Sequence, residues 1–341
     1  LFARAGMSEW AAIAFAAALL HVANHAIFKA LLFLGAGAFE REVGALDLDR
    51  LGGLLRRMPW TGGAFLLGAM SIAGLPPLNG FASEWLTLQS LLHVALQGPV
   101  WVALAGAVAL AGLAATAALA LMCFVKVVGL VLVGPPRRPE CAVAVDPPVA
   151  MRAGMGALAA LCVAIGVAPG LVVPTLAALA PGANGDVLAL HAGLDVPGTG
   201  SLPALGIALA LVALLALLLR ARGARKAAPA PSWACGQAVA PALSWTSAGF
   251  IKPLRLVLEA VLRPTRELEV VEEHGLIQRI AYSNEVHPLA DKLLYEPAIR
   301  AGLRGAAVAR RLQTGNVRTY ALYLLMLVIG LLALVRAGVL A

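Results

Sequence analysis

The sequence predicts an all-α fold: a polytopic membrane helix bundle of about six transmembrane helices, one of them broken at mid-membrane, with an added amphipathic lateral helix. Three observations carry this reading. Of 341 residues, 61% are hydrophobic and only 13% are charged, with a mean hydropathy of +0.87. A soluble domain carries about 25% charge. Apolar runs long enough to cross a bilayer, about 20 residues each, recur along the chain. One of these runs is interrupted by Gly74-Leu75-Pro76-Pro77-Leu78-Asn79-Gly80, whose prolines and glycines break a helix.

The net charge of +8 does not point to nucleic acid. The basic residues fall largely in loops between apolar runs, where orientation in the membrane explains them. The four cysteines, Cys123, Cys141, Cys162 and Cys235, form no CxxC pair and no metal-ligand spacing. No disulfide framework, metal site or cofactor site is expected from them. The chain opens on Leu1. Its first apolar run is too long for a signal peptide and is interrupted by ionisable groups. It reads as the C-terminal part of something longer.

The first crossing is expected over roughly 10–38, the second over 59–96 and the third over 98–133. The fourth is expected over roughly 150–171, the fifth over 203–222 and the sixth over 317–336. The second is the unusual one, because it contains the Pro-Pro interruption. Either it is two spans joined by a tight turn, or it is one span with a break. Charge bias arbitrates. Arg41, Arg50, Arg56 and Arg57 precede it, Arg137, Arg138 and Arg152 flank the loop before the fourth crossing, and Arg220, Arg222, Arg225 and Lys226 follow the fifth. The stretch 174–202 has no Lys or Arg. Only a single broken crossing puts all the basic segments on one side, as the positive-inside rule requires. Broken helices at membrane depth are tolerated where they line a cavity.

The stretch 223–316 is not expected to span. Lys252, Arg255, Glu259 and Arg263 at 3-4-4 spacing, opposite Phe250, Leu254, Val257, Leu258 and Val261, predict an amphipathic helix. A second is expected over roughly 285–313, with Pro288 in its first turn, Arg300, Arg304 and Arg311 on its polar side and a kink at Pro297.

His21, His25 and Lys29 are spaced four apart inside the first crossing. A step of four advances a helix about 400°, so the three share one face. Ionisable groups at such depth face a bundle interior or a water-filled path by default, and mark proton or ion routes. Histidine titrates near neutral pH, so such groups can load and release protons. The plainer alternative is that they hydrogen-bond neighbouring helices and hold the bundle together. A zinc site is disfavoured, because Val22 stands where HExxH needs Glu and no third ligand is near in sequence. Glu84 follows the break. Ser83 or Asn79 capping the second half-helix would put Glu84 in its first turn, where the helix dipole favours the carboxylate. Lys126, near the end of the third crossing, is read as snorkelling to the interface ahead of a relay role. His93 is given no role, and Trp233-Ala234-Cys235-Gly236 is read as structural.

Two segments resemble a known family: HVANHAIFKALLFLGAGA and RMPWTGGAFLLGAMSIAGLPPLNGFASEWLTLQSLL. They are similar to the antiporter-like proton-channel subunits of respiratory complex I, membrane-bound hydrogenases and Mrp antiporters. Ser83-Glu84-Trp85-Leu86, the PSWACGQ loop and the 241–320 segment look like the branch of hydrogenase-4 component B and formate hydrogenlyase subunit 3. The resemblance implies two inverted five-helix repeats, each with a broken helix, of which this chain matches roughly the last six helices. The family's Glu/Lys pair and central Lys would lie in a preceding half. Residues 1–172 would be the C-terminal part of the channel domain. Residues 173–341 would be an extension with two transmembrane helices and an amphipathic segment on the cytoplasmic side.

By that resemblance His21, His25 and Lys29 match the relay helix and Glu84 the ionisable residue of the broken helix. With Lys126 added from its place in the third crossing, these form the expected proton pathway, and Gly74, Pro76, Pro77 and Gly80 form the helix break. No cofactor or metal is expected on this chain. Its expected partners are other membrane subunits and, through them, iron–sulfur and NiFe or quinone-site subunits, in the inner membrane of a prokaryote. The readings to separate are a proton-translocating subunit of a hydrogenase-type or complex I-like oxidoreductase, an Mrp-type cation/proton antiporter subunit, and a structural membrane anchor.

Overall fold

A computed structural model describes residues 8–179, 244–259, 265–273, 276–285, 291–310 and 315–337, with a few further positions between them. Two units are described separately, Leu1–Phe250 and Ile251–Ala341.

The first unit is built on α1 (Ser8–Val43). At about 1.5 Å per residue, its 36 residues extend about 54 Å, beyond the roughly 30 Å hydrocarbon core. After it come a 3₁₀ turn (Leu48–Arg50), α2 (Leu54–Arg57), α3 (Pro59–Ile72) and α4 (Asn79–Gln97). Next are α5 (Val100–Val127), closing in a π turn over Val128–Val133, then α6 (Pro139–Val143), α7 (Val149–Val167) and α8 (Val173–Ala177). Its other described elements are a two-residue ribbon, β1 (Asp195–Val196) with β2 (Gly200–Ser201), and α9 (Ser247–Phe250).

Apolar clusters all meet on α1. Phe39 and Val43 pack with Leu54, Met58, Phe65 and Leu132. Ala17 and Leu20 pack with Leu86 and Val173. Phe28 and Leu31 pack with Met155, Ala159 and Cys162.

The order of contacts along α1 establishes the single broken crossing. Phe65 packs against Phe39, with ring centroids 5.3 Å apart. Gly68 lies against Leu31 and Leu32. Asn79 bonds Asn24, Ser83 bonds His21, and His93 stacks on Trp10. As the chain runs from 65 to 93, its partner on α1 runs steadily from 39 down to 10. Helices α3 and α4 therefore travel the same way, both antiparallel to α1. A hairpin at Pro76-Pro77 would have returned His93 toward Phe39.

Two of the basic segments, 41–57 and 137–152, meet at one end, as the charge bias required; the third, after 220, lies largely outside the described residues. Arg137 bonds Asp49 at 3.1 Å, and the Cys141 thiol faces Arg50 O at 3.6 Å. Asp146 holds the start of α3. Its carboxylate accepts from Trp60 N (3.1 Å), Thr61 N (3.0 Å) and Thr61 Oγ1 (2.8 Å). These bonds satisfy amides that the first helical turn leaves orphaned.

The second unit holds α10 (Lys252–Val257), the antiparallel pair β3 (Thr265–Glu273) and β4 (Leu276–Glu285), α11 (Glu296–Arg310) and α12 (Val317–Arg336). Asn316 caps α12 by accepting from Arg318 N at 3.0 Å. Among the described residues, four helices are long and apolar enough to cross a membrane: Trp10–Val43, Val100–Val133, Val149–Val167 and Val317–Arg336. The broken pair adds a crossing, while the expected fifth, 203–222, lies largely outside the described residues.

The all-α class holds. Of the amphipathic helix expected from Lys252 to Arg263, Lys252–Val257 is helical and residues 260–264 lie outside the described residues; a hairpin that the sequence reading does not include runs from Thr265. Its signal was present: Glu267-Leu268-Glu269-Val270 alternates at period two. The helix expected over 285–313 is helical from Asp291, with Pro297 just past the change from π to α winding at Glu296.

Candidate functional site

The break is the six-residue linker between Ile72 and Asn79. Gly74 turns it with φ of +65°, a region that residues with a Cβ rarely adopt. A Cβ on Gly74 would also collide with Glu84 Oε2. The half-buried carboxylate of Glu84 thus folds back over the linker. A Cβ on Gly80 would collide with the Ser71 carbonyl oxygen, so glycine there lets the two half-helices approach.

The capping expectation is corrected. Helix α4 starts at Asn79 after Leu78, with no side-chain cap. Glu84 therefore lies in its second turn, beyond the range in which the helix dipole acts strongly. Asn79 and Ser83 do other work, across the seam to α1. The Asn24 amide donates to Asn79 O at 2.7 Å, and the Asn79 amide donates to Asn24 Oδ1 at 3.1 Å. Both side chains are 0% exposed. Ser83 donates to Gly80 O at 3.0 Å, and its oxygen also lies 3.1 Å from His21 Nδ1.

His21 is half-buried and His25 is exposed, their ring centroids 6.2 Å apart. The half-buried Lys29 ammonium lies 5.9 Å over the Phe33 ring. At about 100° per residue, His21, His25 and Lys29 stand about 60°, 100° and 140° around α1 from Asn24. The shared face therefore begins at the break and turns away from α4. Among the described residues, neither Lys29 nor Glu84 forms an ion pair. Lys126 sits half-exposed in the last turn of α5, with no hydrogen bond to the break residues among those described. The structure thus joins His21, Ser83, Glu84 and the break, and leaves His25, Lys29 and Lys126 outside that contact set.

Sequence reasoning missed Asn24 as a site residue and misassigned Asn79 and Ser83. It also missed a stripe on α4. Asn79, Ser83, Thr87 and Ser90 follow at steps of four, four and three, with Thr87 bonded to Ser83 O and Ser90 to Leu86 O. Polar residues at helical spacing in an apolar helix were the available signal.

Residues 3–113 match the family described as NADH:quinone oxidoreductase/Mrp antiporter, transmembrane. Hydrogenase-4 component B of Escherichia coli (strain K12) is 35% identical over 327 residues, 92% of this chain and 49% of the relative. Formate hydrogenlyase subunit 3 of the same organism is 35% identical over 257 residues, 74% of this chain and 41% of the relative. The chain thus spans about half the length of these relatives. A solved structure of the membrane-bound sulfane sulfur reductase, an archaeal respiratory membrane complex, superposes with a TM-score of 0.57 at 24% identity. It covers 93% of this chain and 47% of the matched one, a likeness that concerns the fold. The chain is accordingly a membrane protein whose residues 3–113 match the transmembrane family of NADH:quinone oxidoreductases and Mrp antiporters, and it is homologous to hydrogenase-4 component B and formate hydrogenlyase subunit 3.

Proposed function

We propose that this chain forms part of a proton-translocating membrane subunit of a hydrogenase-type or complex I-like oxidoreductase. Protons would move along the His, Lys and Glu side chains of the crossing and water. The observation that carries the reading is the pairing of His21 with Ser83, next to Glu84, where an otherwise apolar crossing is broken. Ionisable groups at membrane depth are costly and are kept where they serve a route. Asn79 Oδ1, buried there without a partner among the described residues, supports hydration of the break.

On this reading His21, His25, Lys29 and Glu84 are relay residues, and Lys126 is a snorkelling cation first and a relay second. The partners are further membrane subunits of one complex and, through them, iron–sulfur and NiFe or quinone-site subunits. The relatives' names, hydrogenase-4 and formate hydrogenlyase, support that branch. The location is the inner membrane of a prokaryote, with the end bearing Arg41, Arg56 and Arg137 in the cytoplasm. Residues 1–172 belong to the channel domain and 173–341 to an extension in which α11 lies along the membrane plane.

The test is proton pumping by the full-length complex in liposomes. Glu84→Gln and Lys29→Ala are expected to assemble and to pump at most a tenth as fast as wild type. Wild-type pumping by Lys29→Ala would leave the structural anchor as the answer. The family match also embraces Mrp antiporters, and sodium-dependent transport without redox partners would favour that reading.

A further inference from the structure

We propose that Ser83 is a positioning residue that fixes the tautomer of His21, so that the proton is taken and given at Nε2. This rests on the relay reading above for its purpose, but not for its geometry. A serine hydroxyl has one proton to donate and lone pairs to accept with. The buried Ser83 hydroxyl lies 3.0 Å from Gly80 O and 3.1 Å from His21 Nδ1. The Gly80 carbonyl can only accept, so the hydroxyl proton points to it. What remains on Ser83 Oγ toward His21 is a lone pair, which requires a proton on Nδ1. The opposite assignment would aim the hydroxyl at a bare Nδ1. Two oxygens would then face each other at 3.0 Å with no hydrogen between them, which burial makes costly. The chain His21 Nδ1–H to Ser83 O–H to Gly80 O instead aligns each dipole with the next.

The consequence is specific to proton transfer. Imidazolium carries protons on both nitrogens. The Nδ1–H bond to Ser83 therefore persists in neutral and charged His21 alike. Only Nε2 changes, on the side of the ring away from Ser83. A proton arriving there forms Nε2–H as a neighbouring water or imidazolium loses its own, and no electrons move. The ring need not turn between the two states. The nearest imidazole along α1 is that of His25, 6.2 Å between centroids, a gap suited to a bridging water.

The experiment is nitrogen-15 NMR of histidine-labelled full-length protein in liposomes, with His21 identified by its loss in His21→Gln. Wild type is expected to show neutral His21 with protonated Nδ1 and bare Nε2. Ser83→Thr, which keeps the hydroxyl, should retain this signature, while Ser83→Ala should shift at least half of His21 to the Nε2–H form. Bare Nδ1 in wild type, or an unchanged tautomer in Ser83→Ala, would overturn the assignment. Wild-type pumping by Ser83→Ala together with a shifted tautomer would leave the assignment standing and count against the relay instead.

Discussion

Asn24 and Asn79 clasp each other across the seam between α1 and the helix break. Each amide donates once, at 2.7 and 3.1 Å, and both side chains are fully buried. The pair joins two separate elements, so it sets where the break sits along α1. One turn toward the N-terminus it is followed by His21 and Ser83.

Breaking the clasp should cost stability. Asn24→Leu leaves the Asn79 amide and carbonyl without their partner, a loss of about 2–4 kcal/mol. Thermal unfolding in detergent should show a lower midpoint. Asn24→Leu with Asn79→Leu together should cost less than the sum of the two, because the single variants share one interaction.

Gly74→Ala should be destabilising by about 1–3 kcal/mol, from its left-handed backbone and its contact with the Glu84 carboxylate. Gly63→Ala is the control. It lies in the same crossing with open space around it, and substitution should be neutral or slightly stabilising. Equal effects at both positions would contradict the packing of Glu84 over the break.

Asp146→Ala should free the first turn of α3. Three hydrogen bonds converge on that carboxylate, and loss of such a cap costs about 1–2 kcal/mol. Protease accessibility of the 44–58 and 134–148 loops should rise in this variant, with the break itself unaffected.

Single-cysteine labelling checks the broken crossing directly. Trp60 and Leu96 are 69% and 75% exposed at the two ends of the α3–α4 pair. Trp60→Cys and Leu96→Cys should react with impermeant maleimides from opposite sides of the membrane. Reaction from the same side would mean a hairpin.

The sequence by itself determined the class, most of the spans and the existence of a break. Apolar run length is set by bilayer thickness, and two prolines in a row cannot continue a helix. Charge bias even chose one broken crossing over a hairpin, because basic loops collect on one side. Local chemistry misled where tertiary partners competed. Asn79 and Ser83 look like caps for α4, yet α1 supplies them with partners across the seam. The stretch after the Lys252 stripe reads only as non-spanning, yet it pairs as a hairpin from Thr265. Only the tertiary structure decided which side of α1 meets the break. His21, His25 and Lys29 share a face in any helix, but the packing of α4 admits His21 and leaves Lys29 farther around. The bonds that decide it join residues 62 and 55 positions apart. No helical period encodes such distances, because they follow from how whole helices pack.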